Sequence, residues 1–127
     1  MKITFLGTGA ADWDFERHKD MDGYRRNSSM LIDGCLLVDP SPTVPEALSR
    51  FGIDKNGIKY VINSHKHRDH YDEKTLAYLS DAQFFDIGTS ESASFGGYTV
   101  RSLPANHSTC EGAKHFIISD GERTVFY

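Results

Sequence analysis

The feature of this sequence that most constrains its fold is an apolar run that leads directly into a cluster of histidines. Residues 58–63, IKYVIN, form a continuous apolar run of the kind found in strands that are buried on both faces. Residues 63–72, NSHKHRDHYD, then hold three histidines and two aspartates. The residues that follow, EKTLAYLS at 73–80, predict a short helix. The histidine cluster is therefore predicted to lie in a strand-to-helix loop.

Turn signals divide the N-terminal part of the chain into further strands. Residues 2–7 predict a short strand. Residues 28–32 and 35–39 predict two strands around the Asp33–Gly34 turn, a dipeptide that suits a tight hairpin. The polar connection at residues 7–27 is longer than structureless loops usually are in compact domains, and such loops tend to be functional.

An amphipathic helix is predicted after the hairpin. Apolar residues recur there at i, i+3, i+4 and i+7, namely Val44, Ala47, Leu48 and Phe51. Thr43 and Glu46 are spaced as a capping box, in which each side chain would satisfy a backbone N–H at the start of the helix. Gly52 is predicted to end the helix, since glycine readily adopts the left-handed conformation found there.

The remainder of the chain reads as strands, and the last two are joined across Asp120–Gly121. These strands are predicted at residues 82–87, 98–103, 115–119 and 123–127. Each predicted helix follows one strand and leads to another, so the fold class is α/β (α+β), a mixed β-sheet with helices on one face. A chain of 127 residues is long enough for a single hydrophobic core.

Charge and cysteine content exclude several classes of function. The chain has 14 basic and 18 acidic residues, with a net charge of -4 and no long basic run, so no grip on duplex nucleic acid is evident. A small anionic substrate remains possible. Cys35 and Cys110 form no CxxC pair, and no secretory leader pattern opens the sequence, so we expect a cytoplasmic protein. No apolar stretch approaches the roughly 20 residues needed to span a bilayer.

The spacing within the histidine cluster predicts metal binding. In an extended segment side chains alternate, so His65 and His67 point to the same side and can converge on one cation. As the chain turns into the helix, Asp69 and His70 are carried to a neighbouring point, which suits a second divalent ion about 3.5–4 Å from the first. The alternative is a solvated polar loop, which the two basic residues between these side chains would also fit.

Three motifs in this order resemble the metallo-β-lactamase superfamily. HKHRDH at residues 65–70 matches the HxHxDH signature of that family, and FLGTGAA at 5–11 and LLVDP at 36–40 are similar to its earlier motifs. The resemblance implies that His65, His67 and a later histidine hold a first metal, and that Asp69 and His70 belong to a second. It implies two divalent ions, most often zinc, and manganese or iron also accept such ligands.

The resemblance also assigns roles outside the motif. His107, after the strand at 98–103, is the later histidine that it implies as the third ligand, whereas His115 lies in a predicted strand and is expected to pack structurally. Asp39 is expected to hydrogen-bond around the ligands, and the alternative is that it caps the turn that follows. Asp69 is in addition the candidate catalytic residue.

Hydrolysis is the reaction that the resemblance implies, because a metal-bound water becomes a hydroxide nucleophile near neutral pH. The family hydrolyses β-lactams, lactones, thioesters and phosphodiesters. FLGTGAA followed by RRNSSMLI, residues 25–32, resembles its phosphodiesterase branch. We expect Arg25 and Arg26 to contact a phosphate, although an arginine pair before a strand can also be a solvated edge. A carbon-ester, lactone or thioester hydrolase is the alternative.

Family members have two similar layers and about twice this length, so we expect residues 1–127 to be the N-terminal portion of an αββα sandwich whose C-terminal half is absent. Such a half would expose an apolar face containing Phe5, Val61, Ile62 and Phe116, which calls for a partner. We expect a homo-oligomer or pairing with a C-terminal half. A third hypothesis is therefore an inactive metal-binding half that needs a partner chain.

Overall fold

The computed structural model of the protein describes residues 1–11 and 14–127. The strands in this part of the chain are β1 (Ile3–Gly7), β2 (Ser29–Ile32), β3 (Leu36–Val38), β4 (Tyr60–Ile62), β5 (Gln83–Phe85), β6 (Ser92–Phe95), β7 (Tyr98–Pro104), β8 (Lys114–Ser119) and β9 (Thr124–Phe126). The helices are α1 (Phe15–His18), α2 (Val44–Arg50), α3 (Glu73–Tyr78) and a 3₁₀ turn at Lys55–Gly57. None of the described helices is long and apolar enough to cross a membrane.

The first sheet has five strands in the order β1-β2-β3-β4-β5. The first three strands are antiparallel, and β3, β4 and β5 are parallel to one another. The β2–β3 hairpin pairs Ile32 with Leu36 and turns through the three residues between them, with Asp33 and Gly34 at positive φ angles of 52° and 70°. Helices α2 and α3 make the crossovers between the parallel strands, as parallel pairing demands.

The second sheet has four antiparallel strands in the order β6-β7-β8-β9. Strand β6 is missing from the sequence-based prediction because only Ala93 and Phe95 are apolar in it. Its turn into β7 passes through Gly96 and Gly97, with φ angles of 56° and 84°. A Gly–Gly pair is a hairpin signal, so this turn is the feature from which β6 could have been predicted.

The central strands of the five-stranded sheet are buried on both faces. Its inner face packs on the second sheet, with a core of Met30, Ile32, Val38, Ile62, Val100, Phe116 and Ile118. Its outer face packs on the helices through Leu31, Leu37, Val44, Leu48 and Val61. The mixed sheet with helices on one face is thus confirmed, and the continuous apolar run around β4 is explained because successive side chains enter two different cores.

The predicted exposed apolar face is wrong for three of its four residues. Val61, Ile62 and Phe116 are 1%, 0% and 0% exposed, and Phe5 alone is open to solvent at 62%. The prediction treated the chain as a single uncovered layer. In the structure, the second sheet covers one face of the first sheet and α2 and α3 cover the other.

The capping box predicted at the start of α2 is also wrong. Thr43 makes no side-chain cap, and its Oγ1 instead accepts a hydrogen bond from the backbone N–H of Asn27 at 3.0 Å. Glu46 turns away from the helix end to meet Arg26. Both side chains therefore bond to residues that are distant in the sequence and do not cap the helix. The predicted helix end is confirmed, since Gly52 adopts a φ of 64° directly after the C-cap.

The base of the long connection between β1 and β2 is tied to the sheet edge. The backbone N–H of Gly9 donates to Arg26 O at 2.7 Å, and Ser28 N–H donates to Gly9 O at 3.1 Å. A Cβ at Gly7 or Gly9 would lie 2.1 or 2.3 Å from a backbone carbonyl oxygen of the opposite segment. The two glycines permit this close approach, which brings Ser28 to the cleft described below.

Candidate metal centre

Three chain segments bring the predicted site residues to one edge of the molecule. Asp39 follows β3, and the loop that begins at Asn63 follows its parallel neighbour β4. The carboxyl ends of parallel strands meet at one sheet edge, where ligands commonly bind in open α/β sheets. The loop after β7, in the second sheet, supplies His107 to the same place.

His65, His67 and His107 form a triad that can hold a metal ion. Each offers one ring nitrogen, and the three nitrogens lie within 4.8 Å of one another. All three side chains are half-buried, whereas Lys66 and Arg68 between them are exposed. The alternation expected of an extended segment therefore holds, and the basic residues point away from the triad.

The hydrogen-bond network assigns the proton on His65. Ser64 Oγ donates its single hydrogen to Asp39 Oδ2 at 2.8 Å, so its contact with His65 Nδ1 at 2.9 Å must be one in which Nδ1–H donates. The lone pair of His65 is then on Nε2, free for a metal. Burial lowers the pKa of His65 to about 4, and the neighbouring His70 adds to the effect, so the ring is neutral at neutral pH.

Thr109 orients the other two members of the triad. Its carbonyl oxygen, which can only accept, lies 3.2 Å from His67 Nε2, so Nδ1 of His67 carries the lone pair. Its hydroxyl lies 3.4 Å from His107 Nδ1, a long contact on the ring of the third histidine. The sequence carries no signal for this role of Thr109 beyond its position two residues after His107.

His70 and Asp69 lie beside the triad, with the ring centroids of His65 and His70 4.1 Å apart. His70 Nδ1 donates to Asp39 Oδ2 at 2.6 Å, and His70 Nε2 lies 3.4 Å from Asp69 Oδ2. Burial lowers the pKa of His70, but the hydrogen bond to Asp39 and the charges of Asp39 and Asp69 outweigh it and raise the pKa. Positive charge is thus favoured between Nε2 and Asp69, as a proton or as a second cation.

Asp39 is completely buried and holds the site together. Its φ of 60° is left-handed, a conformation that aspartate tolerates better than most residues. Its carboxylate accepts hydrogen bonds from five donors: Asn63 Nδ2, Ser64 N, Ser64 Oγ, His70 Nδ1 and Tyr127 OH. The side chain thus bonds directly to His70 and, through Ser64, to His65. The backbone N–H of Ser41 bonds to the backbone oxygen of Asp39 and not to its side chain.

The donor set fits a divalent metal ion. Three imidazole nitrogens within 4.8 Å of one another suit zinc, and also manganese or iron. Two members of the triad, His65 and His107, line a cleft of about 340 Å³. The cleft lining includes Ser28, His65, His70, His107 and Tyr127. His65, His67 and His107 would hold the first ion, and Asp69 and His70 would belong to a second.

Arg26 has a different role from the phosphate contact that the sequence predicts. Its side chain is only 10% exposed, its Nε pairs with Glu46 Oε2, and its Nη2 donates to Glu46 Oε1 at 2.9 Å. This bidentate pair fixes α2 to the segment before β2, so the guanidinium is not free for a substrate. Arg25 is exposed, and the cleft lining does not include it.

His115 does not pack in the core as expected. Its side chain is exposed on β8, contacts Phe126 in a tilted arrangement with ring centroids 5.2 Å apart, and lines the cleft. Alternation along β8 explains this, because Phe116 takes the inward position. Sequence reasoning also missed Ser64 and Tyr127, which bond to Asp39.

The comparisons with known proteins identify the fold. Residues 22–71, which include Asp39 and the histidine loop, match the profile of the metallo-beta-lactamase superfamily. The metallo-beta-lactamase fold protein YhfI from Bacillus subtilis superposes on 98% of this chain with a TM-score of 0.71 and 17% identity. This chain has the metallo-β-lactamase fold. It covers 61% of YhfI, so it spans about three-fifths of the length of that protein.

Other proteins of the metallo-β-lactamase fold are similar to the chain. Human tRNase Z, short form, superposes on 99% of this chain and is covered to 68%, with a TM-score of 0.71 and 15% identity. A diphosphatase from the PhnP family superposes on 92% of this chain and is covered to 61%, with a TM-score of 0.62 and 19% identity. No curated protein sequence matches the chain.

Proposed function

We propose that this chain supplies the metal centre of a metal-dependent hydrolase that acts on phosphodiesters. The observation that carries the proposal is the convergence of His65, His67 and His107 beside an open cleft, with their ring nitrogens within 4.8 Å of one another. The hydrogen bonds that His65 and His67 donate to Ser64 and Thr109 support it, because they orient the lone pairs of the two rings in advance.

A bound divalent ion supplies Lewis acidity and activates water, which is the chemistry that hydrolysis needs. The residues of the chain then have separate tasks. The three histidines hold the ion as neutral ligands, and the low pKa of His65 means that this ring need not lose a proton first. Asp69, whose Oδ2 lies 3.4 Å from His70 Nε2, is the candidate general base, and its carboxylate would take up the proton that the attacking water releases.

The phosphodiester class is proposed on two grounds. A human tRNase and a PhnP-family diphosphatase are among the proteins with this fold, and both names denote phosphate chemistry. Two adjacent cations would also neutralise a phosphodiester without help from arginine. The bidentate Arg26–Glu46 pair favours the alternative, a carbon-ester, lactone or thioester hydrolase, because it removes one expected phosphate ligand.

The test is a substrate panel assayed with the zinc-loaded, 127-residue chain and with a His107→Ala control. Turnover of a bis-aryl phosphodiester that the control lacks supports the proposal. Turnover of lactones or thioesters without phosphodiester turnover contradicts it in favour of the alternative. Firm zinc binding with no turnover of either class favours the third hypothesis, an inactive metal-binding half that needs a partner.

We also propose that the chain pairs with a copy of itself or with a chain that supplies the C-terminal half. Two edge strands support this proposal, since Phe5 on β1 and Phe126 on β9 are 62% and 61% exposed. Exposed apolar side chains on open strand edges favour further pairing. Light scattering on the isolated chain tests it, and a monomer at all concentrations contradicts self-association.

A further inference from the structure

Tyr127 links the second sheet to the buried carboxylate of the metal centre. Its hydroxyl donates to Asp39 Oδ2 at 2.9 Å across 88 residues of sequence. Its backbone pairs with Phe116 of β8 through N–H···O contacts of 2.8 and 2.9 Å in the two directions. The side chain therefore reaches from a backbone paired with one sheet to the carboxyl end of a strand in the other.

The oxygen that Tyr127 contacts also positions His70. Asp39 Oδ2 accepts from Ser64 Oγ at 2.8 Å, from His70 Nδ1 at 2.6 Å and from Tyr127 OH at 2.9 Å. Because Asp39 is completely buried, the loss of any one donor leaves its carboxylate with one hydrogen bond fewer in a site of low dielectric. The position of Oδ2, and with it the direction of the His70 ring, therefore depends on all three donors.

We propose that Tyr127 is a positioning residue for the second cation, acting through Asp39 to hold His70 Nε2 toward Asp69. This inference rests on the proposed function and adds a residue to it. The effect is selective, because the triad depends on Asp39 only through Ser64 and His65. His67 and His107 are instead oriented by Thr109, which has no contact with Asp39 among the described hydrogen bonds.

Tyr98 provides a matched control. Its hydroxyl donates to Asp33 Oδ2 at 2.8 Å, so it too forms a tyrosine–aspartate hydrogen bond between the two sheets. Asp33 lies in the β2–β3 turn, and the cleft lining includes neither residue of this pair. Replacing either tyrosine by phenylalanine removes one such bond and keeps the ring.

The experiment is a zinc titration of the full 127-residue chain, of Tyr127→Phe and of Tyr98→Phe, with competing chelators to resolve each equivalent. We expect Tyr127→Phe to weaken the second equivalent about 10–100-fold, the usual effect of losing a hydrogen bond behind a ligand. We expect the affinity of Tyr127→Phe for the first equivalent to stay within about threefold of the wild-type value. Both zinc affinities of Tyr98→Phe should stay within the same range. Cobalt absorption should show a changed second site in Tyr127→Phe alone.

Equal losses of thermal stability in the two variants, with the second zinc affinity unchanged, would overturn the inference and leave Tyr127 a structural role. A wild-type chain that binds a single zinc also overturns it, since no second cation then needs positioning. A wild-type chain that binds no zinc contradicts the proposed function itself, so the two failures are distinguishable.

A second measurement covers the case in which Tyr127→Phe does not fold. 3-Fluorotyrosine at position 127 keeps the hydroxyl, and its fluorine resonance reports on the hydrogen bond to Asp39. We expect the resonance to shift with the second equivalent of zinc and to stay in place with the first. A resonance that responds to neither equivalent, or to the first alone, overturns the inference.

Discussion

His70 Nδ1 lies 2.6 Å from Asp39 Oδ2, and this contact leaves the opposite nitrogen of the ring facing Asp69 at 3.4 Å. One buried carboxylate thus fixes the ring, and a second carboxylate lies where a cation would be bound. The arrangement gives the two halves of the histidine motif different chemistry. His65 is held neutral, whereas the surroundings of His70 favour positive charge.

Replacing His65 or His67 with alanine should lower metal content and thermal stability together. A bound ion stabilises only the folded state, by about 2.7 kcal/mol when its concentration is 100 times its dissociation constant. Elemental analysis and thermal melts with and without zinc measure the two effects. His115→Ala is the control and should retain the wild-type zinc content; unchanged zinc content in both His65→Ala and His67→Ala would refute the ligand assignment.

Without metal, His65 and His70 should titrate in different pH ranges. The pKa of His65 falls from 6.5 unfolded to about 4 folded, so the unfolded state binds more protons between these values. The contribution of His65 to the free energy of unfolding is therefore present above pH 6.5 and is lost as the pH falls toward 4. His70 acts oppositely, because its raised pKa gives stability at low pH that is lost as the pH rises through the folded value.

Nitrogen NMR of the imidazoles in the metal-free chain checks this prediction. The His65 signal should keep the form of a neutral ring down to about pH 4, and that of His70 should change above the ordinary value of 6.5. A His65 ring that protonates near pH 6.5 would show that burial does not depress its pKa.

Asp39→Asn should destabilise the fold by about 3–5 kcal/mol, the usual effect of breaking a buried charged network. The amide keeps one oxygen but turns an NH₂ group toward donors that need an acceptor. Asp33→Asn is the matched control. Asp33 is partly exposed and accepts from Lys2 N and Tyr98 OH, so we expect a smaller loss. Urea unfolding measures both, and equal losses contradict the central role of Asp39.

The Arg26–Glu46 pair should contribute to stability and leave substrate choice unchanged. A double-mutant cycle with Arg26→Met and Glu46→Gln should give a coupling of about 1–2 kcal/mol, typical of a hydrogen bond to a charged group that is largely shielded from water. Both single variants should keep the wild-type ratio of phosphodiester to carbon-ester turnover. If the ratio changes in Arg26→Met alone, Arg26 contacts the substrate and the structural assignment is wrong.

Local sequence was sufficient for the parts of the site that lie within one segment. The strand-to-helix loop and the alternation of His65 and His67 follow from side-chain geometry over a few residues. The Asp33–Gly34 hairpin follows in the same way, because few residues adopt its φ angles. His107 required the resemblance as well, since a lone histidine carries no spacing of its own.

Tertiary structure decided the contacts between distant segments. Periodicity and turn chemistry specify the conformation of a segment, but they do not state which distant side chain will meet it. Glu46 has the spacing of a capping residue, but its carboxylate bonds to Arg26, which lies 20 residues away in the sequence. Tyr127 reaches Asp39 only because the second sheet packs over the first, a packing that depends on the summed burial of apolar side chains from both sheets.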